Sequence, residues 1–536
     1  NSGNSQPVRQ PTQSLANNSP AYFGATNKTH TPFIVLSKTL EAVIRNTGGE
    51  SAIHALTVQG DFKVQKQQLS DSAPWLFEAR GEQFRLQRSP SDLANVHLIG
   101  APASIALGSG WIVAPEFSFS QTEHAFWIDH PGELLLPQEA VPLSGFEGPT
   151  HSLVSTSGMD AARMPNGFPA LPTLAPTPTT KWLEAPRLKW GERMVFDGKK
   201  AMFGGNISMH CKIESSPNIQ WHIALHAGTM GIDMVNPIPL DSKQTTGLPK
   251  AEIATIRFEN NVDINAFQTD RDLNRISREH IKLPRLDVYV PGQTMRGYGP
   301  GELWTRRFGG LNPLANITPS QPSSPSASEG NLQCMHLSFM RGLEGDYRTK
   351  TISFSDRVEA LLGPIASWEQ DVNVQYADTL SKNQTHLIAD RVDLFDSSDL
   401  SWNRNNPQRK QSTSWEVKAM QRVTVRSQTD KGLFAASGDE LKYDSGSDVL
   451  RISGAPQNAS ILLPNANNPN TSSELKVGTF AIQLKTGNFE STLGSFEGQL
   501  PNNMQRAGTV PRGPATSNPP SSGPVLPSPR NFPNRQ

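Results

Sequence analysis

The chain has few cysteines and no long apolar run. Only Cys211 and Cys334 occur among the 536 residues, too few for the disulfide framework that holds many secreted domains together. No run reaches 18 apolar residues, and the most apolar region, 98–115, is interrupted by three glycines and two prolines. A transmembrane helix needs about 20 consecutive apolar residues, so the sequence predicts none.

An excess of charge of either sign is also missing. Lysine and arginine number 49, aspartate and glutamate number 49, and the formal net charge is zero. Domains that bind nucleic acid usually carry a basic excess, so we expect no nucleic-acid partner. Charged residues make up 18% of the chain, below the roughly 25% of an average globular domain.

The motifs of common enzymes and metal sites are absent from the sequence. It contains no phosphate-binding P-loop, no GxGxxG after a strand, and no HExxH, GxSxG or CxxC. His210-Cys211 and Cys334-Met335-His336 offer zinc ligands, but neighbouring strand residues point to opposite faces of a sheet. We therefore expect no cofactor, no metal and no catalytic site.

Low-complexity segments divide the sequence into blocks. Four segments are rich in proline, serine or asparagine and have little apolar surface to bury: 1–32, 142–181, 318–330 and 501–536. The first and last are predicted to be disordered, and the two internal ones to be linkers. Three ordered blocks remain, each predicted to form a β-roll module: 33–141, 182–317 and 331–500.

The ordered blocks alternate apolar and polar residues with a period of two. THLIADRVDLFD (385–396) and TFAIQLKTG (479–487) are examples. Turn residues separate such runs about every 10–15 positions, a pattern typical of many short strands. The sequence therefore predicts an all-β fold of sandwich, barrel or roll type. The best helical pattern, at 36–48, is also compatible with a strand.

One local pattern recurs along the chain. An aromatic or apolar residue is followed by three turn-type or polar residues and then by a β-branched residue. The clear copies are Phe203-GGN-Ile207, Phe258-ENN-Val262 and Phe354-SDR-Val358, and WEVKAMQRVTV (415–425) is a looser one.

A second, longer pattern joins two strands through Gly-Ala-Pro. It occurs in GEQFRLQRSPSDLANVHLIGAPASIAL (81–107) and in GDELKYDSGSDVLRISGAPQNASILL (438–463). Glycine allows the chain to bend, and proline cannot donate a hydrogen bond to the strand ladder. Both segments are therefore predicted to form the same strand–turn–strand unit with a bend at the glycine. One such unit cannot bury its apolar face alone, so stacked or rolled copies are predicted.

These repeats resemble the organic-solvent-tolerance-like (OstA-like) family, the β-jelly-roll domains of lipopolysaccharide transport to the outer membrane. The resemblance is clearest over 386–463, where HLIADRVDLFD, WEVKAMQRVTVRSQ and the hairpin FAASGDELKYDSGSDVLRISGAP follow one another. Residues 196–214 resemble another unit and 479–490 a closing strand. VPGQTMRGYGPGELWTRR (290–307) is similar to the long OstA-like envelope proteins of planctomycete-type bacteria.

The resemblance implies a non-enzymatic protein of the cell envelope, in the periplasm or at the outer membrane. Such a protein would bind lipopolysaccharide or another amphipathic lipid in an apolar groove, and would pair with other β-jelly-roll proteins through open sheet edges. Residues that share a strand face are candidates for lining the groove, although each could instead fill a closed core. These candidates are Phe203, Ile207, Phe258, Val262, Ile264, Phe354, Val358, Val423 and Val425.

Two other functions stay open at this stage. A carbohydrate-active β-solenoid enzyme would need acidic and aromatic residues in one groove, and the ten tryptophans allow it. Its candidate carboxylate pairs are Asp390 with Asp393 and Glu440 with Asp444, although such groups usually lie on solvated surfaces. A purely structural surface array would instead show closed, fully packed cores.

One basic pair suggests a contact with an anion. Arg306 and Arg307 follow Trp304 and could contact a phosphate or a lipid head group. The alternative is a solvated strand end.

Overall fold

The structure is a computed structural model. It describes residues 21–23, 33–47, 50–66, 77–89, 91, 93–107, 109–136, 181–216, 219–238, 252–308, 332–372, 379–396, 415–429, 432–444, 447, 449–454, 458–465, 468–483 and 489–497. Apart from 21–23 and Lys181, the four low-complexity segments lie outside the described residues.

The described chain is all-β, as predicted from the period-two patterns. Its 27 strands form one antiparallel sheet, and no described residue is helical. The strands are β1 (Ala21–Phe23), β2 (Phe33–Leu36), β3 (Thr39–Thr47), β4 (Glu50–Lys66), β5 (Phe77–Arg88), β6 (Ala94–Leu107), β7 (Gly110–Ser120), β8 (Ala125–Ile128), β9 (Gly132–Leu135), β10 (Lys181–Trp190), β11 (Met194–Phe196), β12 (Lys200–Ser216), β13 (Ile219–Met234), β14 (Ile253–Thr269), β15 (Arg275–Tyr289), β16 (Thr294–Tyr298), β17 (Gly301–Phe308), β18 (Leu332–Phe339), β19 (Gly342–Asp346), β20 (Thr351–Pro364), β21 (Thr385–Asp396), β22 (Trp415–Thr429), β23 (Gly432–Asp444), β24 (Val449–Ser453), β25 (Ala459–Asn465), β26 (Asn468–Gln483) and β27 (Phe489–Glu497).

The sheet is a continuous meander of long strands and half-strands. Long strands such as β12, β13, β14 and β15 pair with their sequence neighbours along their whole length. Elsewhere two short strands replace one long strand. For example, β15 pairs with β16 over one half and with β17 over the other. These short strands join near the middle of the long ones, and most pairs of long strands shift register at the same level.

This register shift marks a bend, and the first sequence pattern forms it. In Phe258-ENN-Val262, Asn260 and Asn261 have φ of 65° and 61°, and the β14–β15 register shifts between Glu259 and Val262. Consecutive residues with positive φ inserted into one strand form a bulge that bends it. Equivalent pairs with positive φ lie at the same level in four other strands: Gly60–Asp61, Gly205–Asn206, Asp356–Arg357 and Gln421–Arg422.

The bend divides the sheet into two layers, which we define by the short strands that each contains. Layer one contains β3, β8, β11, β16, β19 and β24. Layer two contains β2, β9, β10, β17, β18 and β25. The long strands run from one layer into the other, and buried side chains of both layers share the same core clusters. The described fold is therefore a jelly-roll-like β-roll.

Two large core clusters fill the interior. The first runs from Val35 to Leu286 and the second from Leu303 to Ile482. Partly buried Ile281 and Met295 pack against both clusters, so the two cores adjoin. The outer faces carry ion pairs between neighbouring strands, such as Lys442 with Glu416. This inside–outside division is the period-two pattern of the sequence.

The strand ladder continues across both internal low-complexity intervals. β9 and β8 precede 142–181; β9 pairs with β10, which begins at the last residue of this interval, and β8 pairs with β11, which follows it. Likewise β17 pairs with β18 across 318–330. The division into three modules stays a prediction, because hydrogen-bonded neighbours can still belong to separately folding units.

Within the described residues, the sheet ends at β1 and β3 on one side and at β27 on the other. There β1 pairs only with β2, β3 only with β4, and β27 only with β26. The segment 36–48, for which the sequence allowed a helix, contains β3, and its Val43 and Ile44 are 46% and 55% exposed. No helix in the described chain is suited to crossing a membrane.

Candidate functional site

The candidate groove residues lie inside the roll, mostly at the bend. Eight of the nine are almost fully buried, with exposed fractions of 3% or less. Ile264 is half-buried and packs against the first core cluster. The recurring pattern places one large residue on each side of the bend, so that the rings and methyl groups of the two layers meet there. These residues contribute to the packed core, and their role in binding stays a prediction.

A cavity lies between the layers in the third block. Its volume is about 50 Å³ and its walls are apolar. Layer two contributes Met335, Leu337, Ala360, Leu362, Thr385, Leu387 and Val425, and layer one contributes Val392, Leu394, Val417, Leu441, Tyr443 and Leu450. Of the predicted groove residues, only Val425 lines it.

Several of the other cavity residues lie in a segment whose apolar residues alternate in the sequence. Leu387, Val392 and Leu394 belong to THLIADRVDLFD, where the inward face changes at the bend because the strand slips register between Ile388 and Arg391. Leu387 lies opposite Val425, and Ala360 lies opposite Leu387 on the next strand, so the strand pairing leads from Val425 to both of them. The missing information was the pairing register between strands.

The inner face of layer two becomes polar towards the free end of its strands in the second block. Ile264, Ile281 and Leu303 form one cross-strand row, and Ala266, Glu279 and Thr305 form the next. Thr305 Oγ1 donates a hydrogen bond of 2.5 Å to Glu279 Oε2. Burial raises the pKa of Glu279 to about 7, against the opposing effects of the Thr305 hydrogen bond and of Arg307 and Arg306.

The outer face of layer two carries a ring stack. His280, Trp304 and His336 are cross-strand neighbours, with ring centroids 4.9 and 4.7 Å apart. His280 Nε2 lies 2.9 Å from Asp263 Oδ1, and burial lowers the pKa of both histidines. The faces of the Trp304 ring are covered by the two imidazoles, so they are closed to a sugar ring.

The two cysteines considered as zinc ligands lie on different strands. Cys211 lies on β12 and Cys334 on β18, both are buried and free, and burial raises the pKa of both thiols. In the part of the chain that the structure describes, no group of three or more His, Cys, Asp and Glu side chains could hold a metal ion.

The carboxylates considered for glycoside hydrolysis are engaged in local contacts. Asp390 forms an ion pair of 2.6 Å with Arg422, which lowers the pKa of Asp390, and Asp393 pairs with Arg391 at 2.8 Å. Glu440 lies 3.5 Å from Lys418, and Asp444 accepts a hydrogen bond from Ser447. These carboxylates lie on strand surfaces and at a turn, where such contacts hold the local structure.

Arg306 and Arg307 point to opposite faces of β17. Arg307 shares the inner face with Glu279 and Thr305, while Arg306 lies on the outer face opposite Arg278 and Cys334. Only 3% of Arg306 is exposed, so it is no solvated strand end.

Comparison with known proteins does not place the chain in a family. No protein-family model matches the sequence, and neither does any curated protein.

Proposed function

We propose that this protein is a non-enzymatic component of the cell envelope that binds an amphipathic lipid or glycolipid inside its β-roll. The apolar cavity of about 50 Å³ between the layers of the third block is the observation that carries the proposal. A lipopolysaccharide-like ligand suits this site, because its acyl chains would enter the roll while its sugars stay in water. The OstA-like resemblance supports the same function.

The energetics favour acyl chains over polar ligands. Each methylene removed from water contributes roughly 0.8 kcal/mol, so a few buried methylenes give measurable affinity. Widening of the roll would have to accompany entry of a whole chain, since the cavity at rest accommodates only a short segment. The continuous meander permits it, because within the described residues no strand pair joins layer one directly to layer two across the interior.

The free sheet edges provide a surface for other β-jelly-roll proteins. Within the described residues, β3 pairs with a strand on one side only and carries the exposed side chains of Val43 and Ile44, and β27 ends the sheet at the other side. Edge strands of this kind accept a strand from another chain. Bridging between envelope proteins is therefore part of the proposed function.

The test is mass spectrometry of lipids that co-purify with the full chain from a diderm bacterial envelope. We expect an acylated species at near-stoichiometric amount. The variant Val417→Phe fills the cavity and is expected to lower the lipid-to-protein ratio several-fold, because the ring occupies the volume that the acyl segment would take.

The matched control is Val113→Phe, which adds the same volume on β7, away from the cavity. A folded protein free of lipid would overturn the proposal and favour a packed structural array. Equal lipid content in the two variants would show that the cavity is not the binding site.

A further inference from the structure

A short segment covers part of the outer face of layer two. Residues 365–372, which we call the strap, follow β20 and are anchored at both ends by buried apolar side chains, Ile365 and Val372. These side chains pack with Leu332, Cys334 and Leu361 in a small core cluster of their own. The strap therefore lies on the sheet surface, outside the two large cores.

Three arginines from β15 and β17 hold the middle of the strap. Arg306 donates from Nε to the Gln370 carbonyl oxygen at 3.2 Å and forms an ion pair with Asp371. Arg278 donates to the Trp368 carbonyl oxygen at 3.5 Å, and Arg275 lies 3.8 Å from the Glu369 carboxylate. Arg275 also lies over the Trp368 ring.

The strap carboxylates only partly neutralise the positive charges of these arginines. Arg278 and Arg306 are direct cross-strand partners, an arrangement in which like charges repel. The Asp371 and Glu369 side chains that oppose them are 49% and 74% exposed, so water weakens their attraction. A site with two adjacent guanidiniums and solvent-screened carboxylates has capacity for a stronger anion.

One guanidinium nitrogen of Arg306 has no partner among the described residues. Arg306 is 3% exposed, and no described atom accepts a hydrogen bond from its buried Nη1. A buried guanidinium nitrogen that is left unpaired is costly, and such groups call for a ligand or an ion. Guanidinium groups bind phosphate oxygens through paired, charge-assisted hydrogen bonds.

We propose that Arg275, Arg278 and Arg306 form a binding site for a phosphoryl group, and that Glu369 and Asp371 of the strap occupy it when the ligand is absent. The phosphoryl group displaces the two carboxylates and supplies acceptors for the arginines, including Arg306 Nη1. The site lies on the outer face of the sheet and does not depend on lipid binding inside the roll.

The experiment uses the full chain in a phosphate-free buffer, titrated with inorganic phosphate by isothermal calorimetry at constant ionic strength. The double variant Glu369→Gln/Asp371→Asn removes the competing carboxylates and is expected to bind phosphate roughly tenfold more tightly, as for one charge-assisted hydrogen bond. Arg278→Gln is expected to weaken binding by a similar factor. Asp390→Asn is the matched control, since it removes a surface carboxylate paired with an arginine elsewhere.

A second arm distinguishes the source of the phosphoryl group. Flotation with phosphatidylcholine vesicles, with and without phosphatidic acid, measures binding to a lipid phosphate. Binding to either probe that Arg278→Gln weakens supports the proposal, and the probe that binds identifies the source. Absence of binding to both probes in the wild type and in the double variant would overturn it, as would binding that Arg278→Gln leaves unchanged in a normally folded protein.

Discussion

Gly81 and Gly438 occupy the same place in two hairpins that lie far apart in the chain. A Cβ atom on Gly81 would lie 2.7 Å from the Ile99 carbonyl oxygen, and one on Gly438 would lie 2.7 Å from the Ser453 carbonyl oxygen. Both oxygens belong to the residue that precedes Gly-Ala-Pro. The second sequence pattern thus corresponds to one repeated packing arrangement, in which the two strands approach too closely at the bend for any side chain.

Alanine at either glycine is expected to destabilise the roll. The added Cβ would meet a backbone oxygen, which cannot rotate away, so we expect Gly81→Ala and Gly438→Ala each to cost about 1–3 kcal/mol in the free energy of unfolding. Gly204→Ala is the control, because its Cβ would lie 3.6 Å from its nearest contact, a side-chain atom of Glu192. Urea unfolding measures all three, and equal costs for control and test would contradict the close approach.

The bend should tolerate glycine better than a β-branched residue. Asn261 has a φ of 61°, a conformation that costs most L-residues roughly 1–2 kcal/mol and costs glycine almost nothing. We therefore expect Asn261→Val to lower the free energy of unfolding by about 1–2 kcal/mol or more, and Asn261→Gly to change it little. If both variants unfold at the same urea concentration as the wild type, strand β14 is not held in this conformation in solution.

Truncation of a bend residue should show how tightly the two layers pack. Phe354 is fully buried, and loss of such a ring typically costs 3–5 kcal/mol. We expect a loss of about this size for Phe354→Ala and a smaller one for Ile264→Ala, because Ile264 is only half-buried. Thermal or urea unfolding of the two variants checks the order. A small effect at Phe354 would indicate a loosely packed interior open to ligand.

Glu279 should make stability depend on pH. Its pKa is raised to about 7 in the folded protein, so between its ordinary value and about 7 the folded state binds more protons than the unfolded state. The contribution of this group is therefore most favourable at low pH and is lost as pH rises through about 7. We expect the wild type to lose stability relative to Glu279→Gln between about pH 5 and about pH 8. Urea unfolding of both proteins at the two pH values measures this difference. An equal change in the free energy of unfolding for the two proteins would show that Glu279 is exposed to water.

The sequence predicted the fold class, but only part of the interior. The patterns around Phe203, Phe258 and Phe354 lie at the bend, because turn-type residues between the apolar positions adopt positive φ there. The sequence alone shows these patterns as a repeat, and the bend follows from the structure. The equivalent bend at Val58-QGD-Phe62 was missed, since the β-branched residue precedes the aromatic one. An aromatic residue before the bend and a β-branched residue after it fill the same space as the reverse order. A pattern that requires one order therefore finds only some of the copies.

The arginine site depends on contacts that no local pattern contains. Arg306 and Arg307 are adjacent in sequence, and strand geometry alone sends them to opposite faces. The strap covers the face on which Arg306 lies. It is more than 60 residues later in the chain and contacts Arg306 through the Gln370 carbonyl oxygen. Burial of one member of the pair therefore follows from tertiary structure.

The order of strand pairing has a consequence for how the protein comes apart. Nearly every row of the sheet touches only the rows before and after it, so cooperativity passes along the roll from neighbour to neighbour, as in a repeat protein. In such a linear array, the outermost rows exchange their amide protons first, and opening proceeds inward from β3 and β27. The ends proposed to accept another chain are thus also the least protected, and a partner that adds a strand there would act as a cap that slows unfolding of the whole roll.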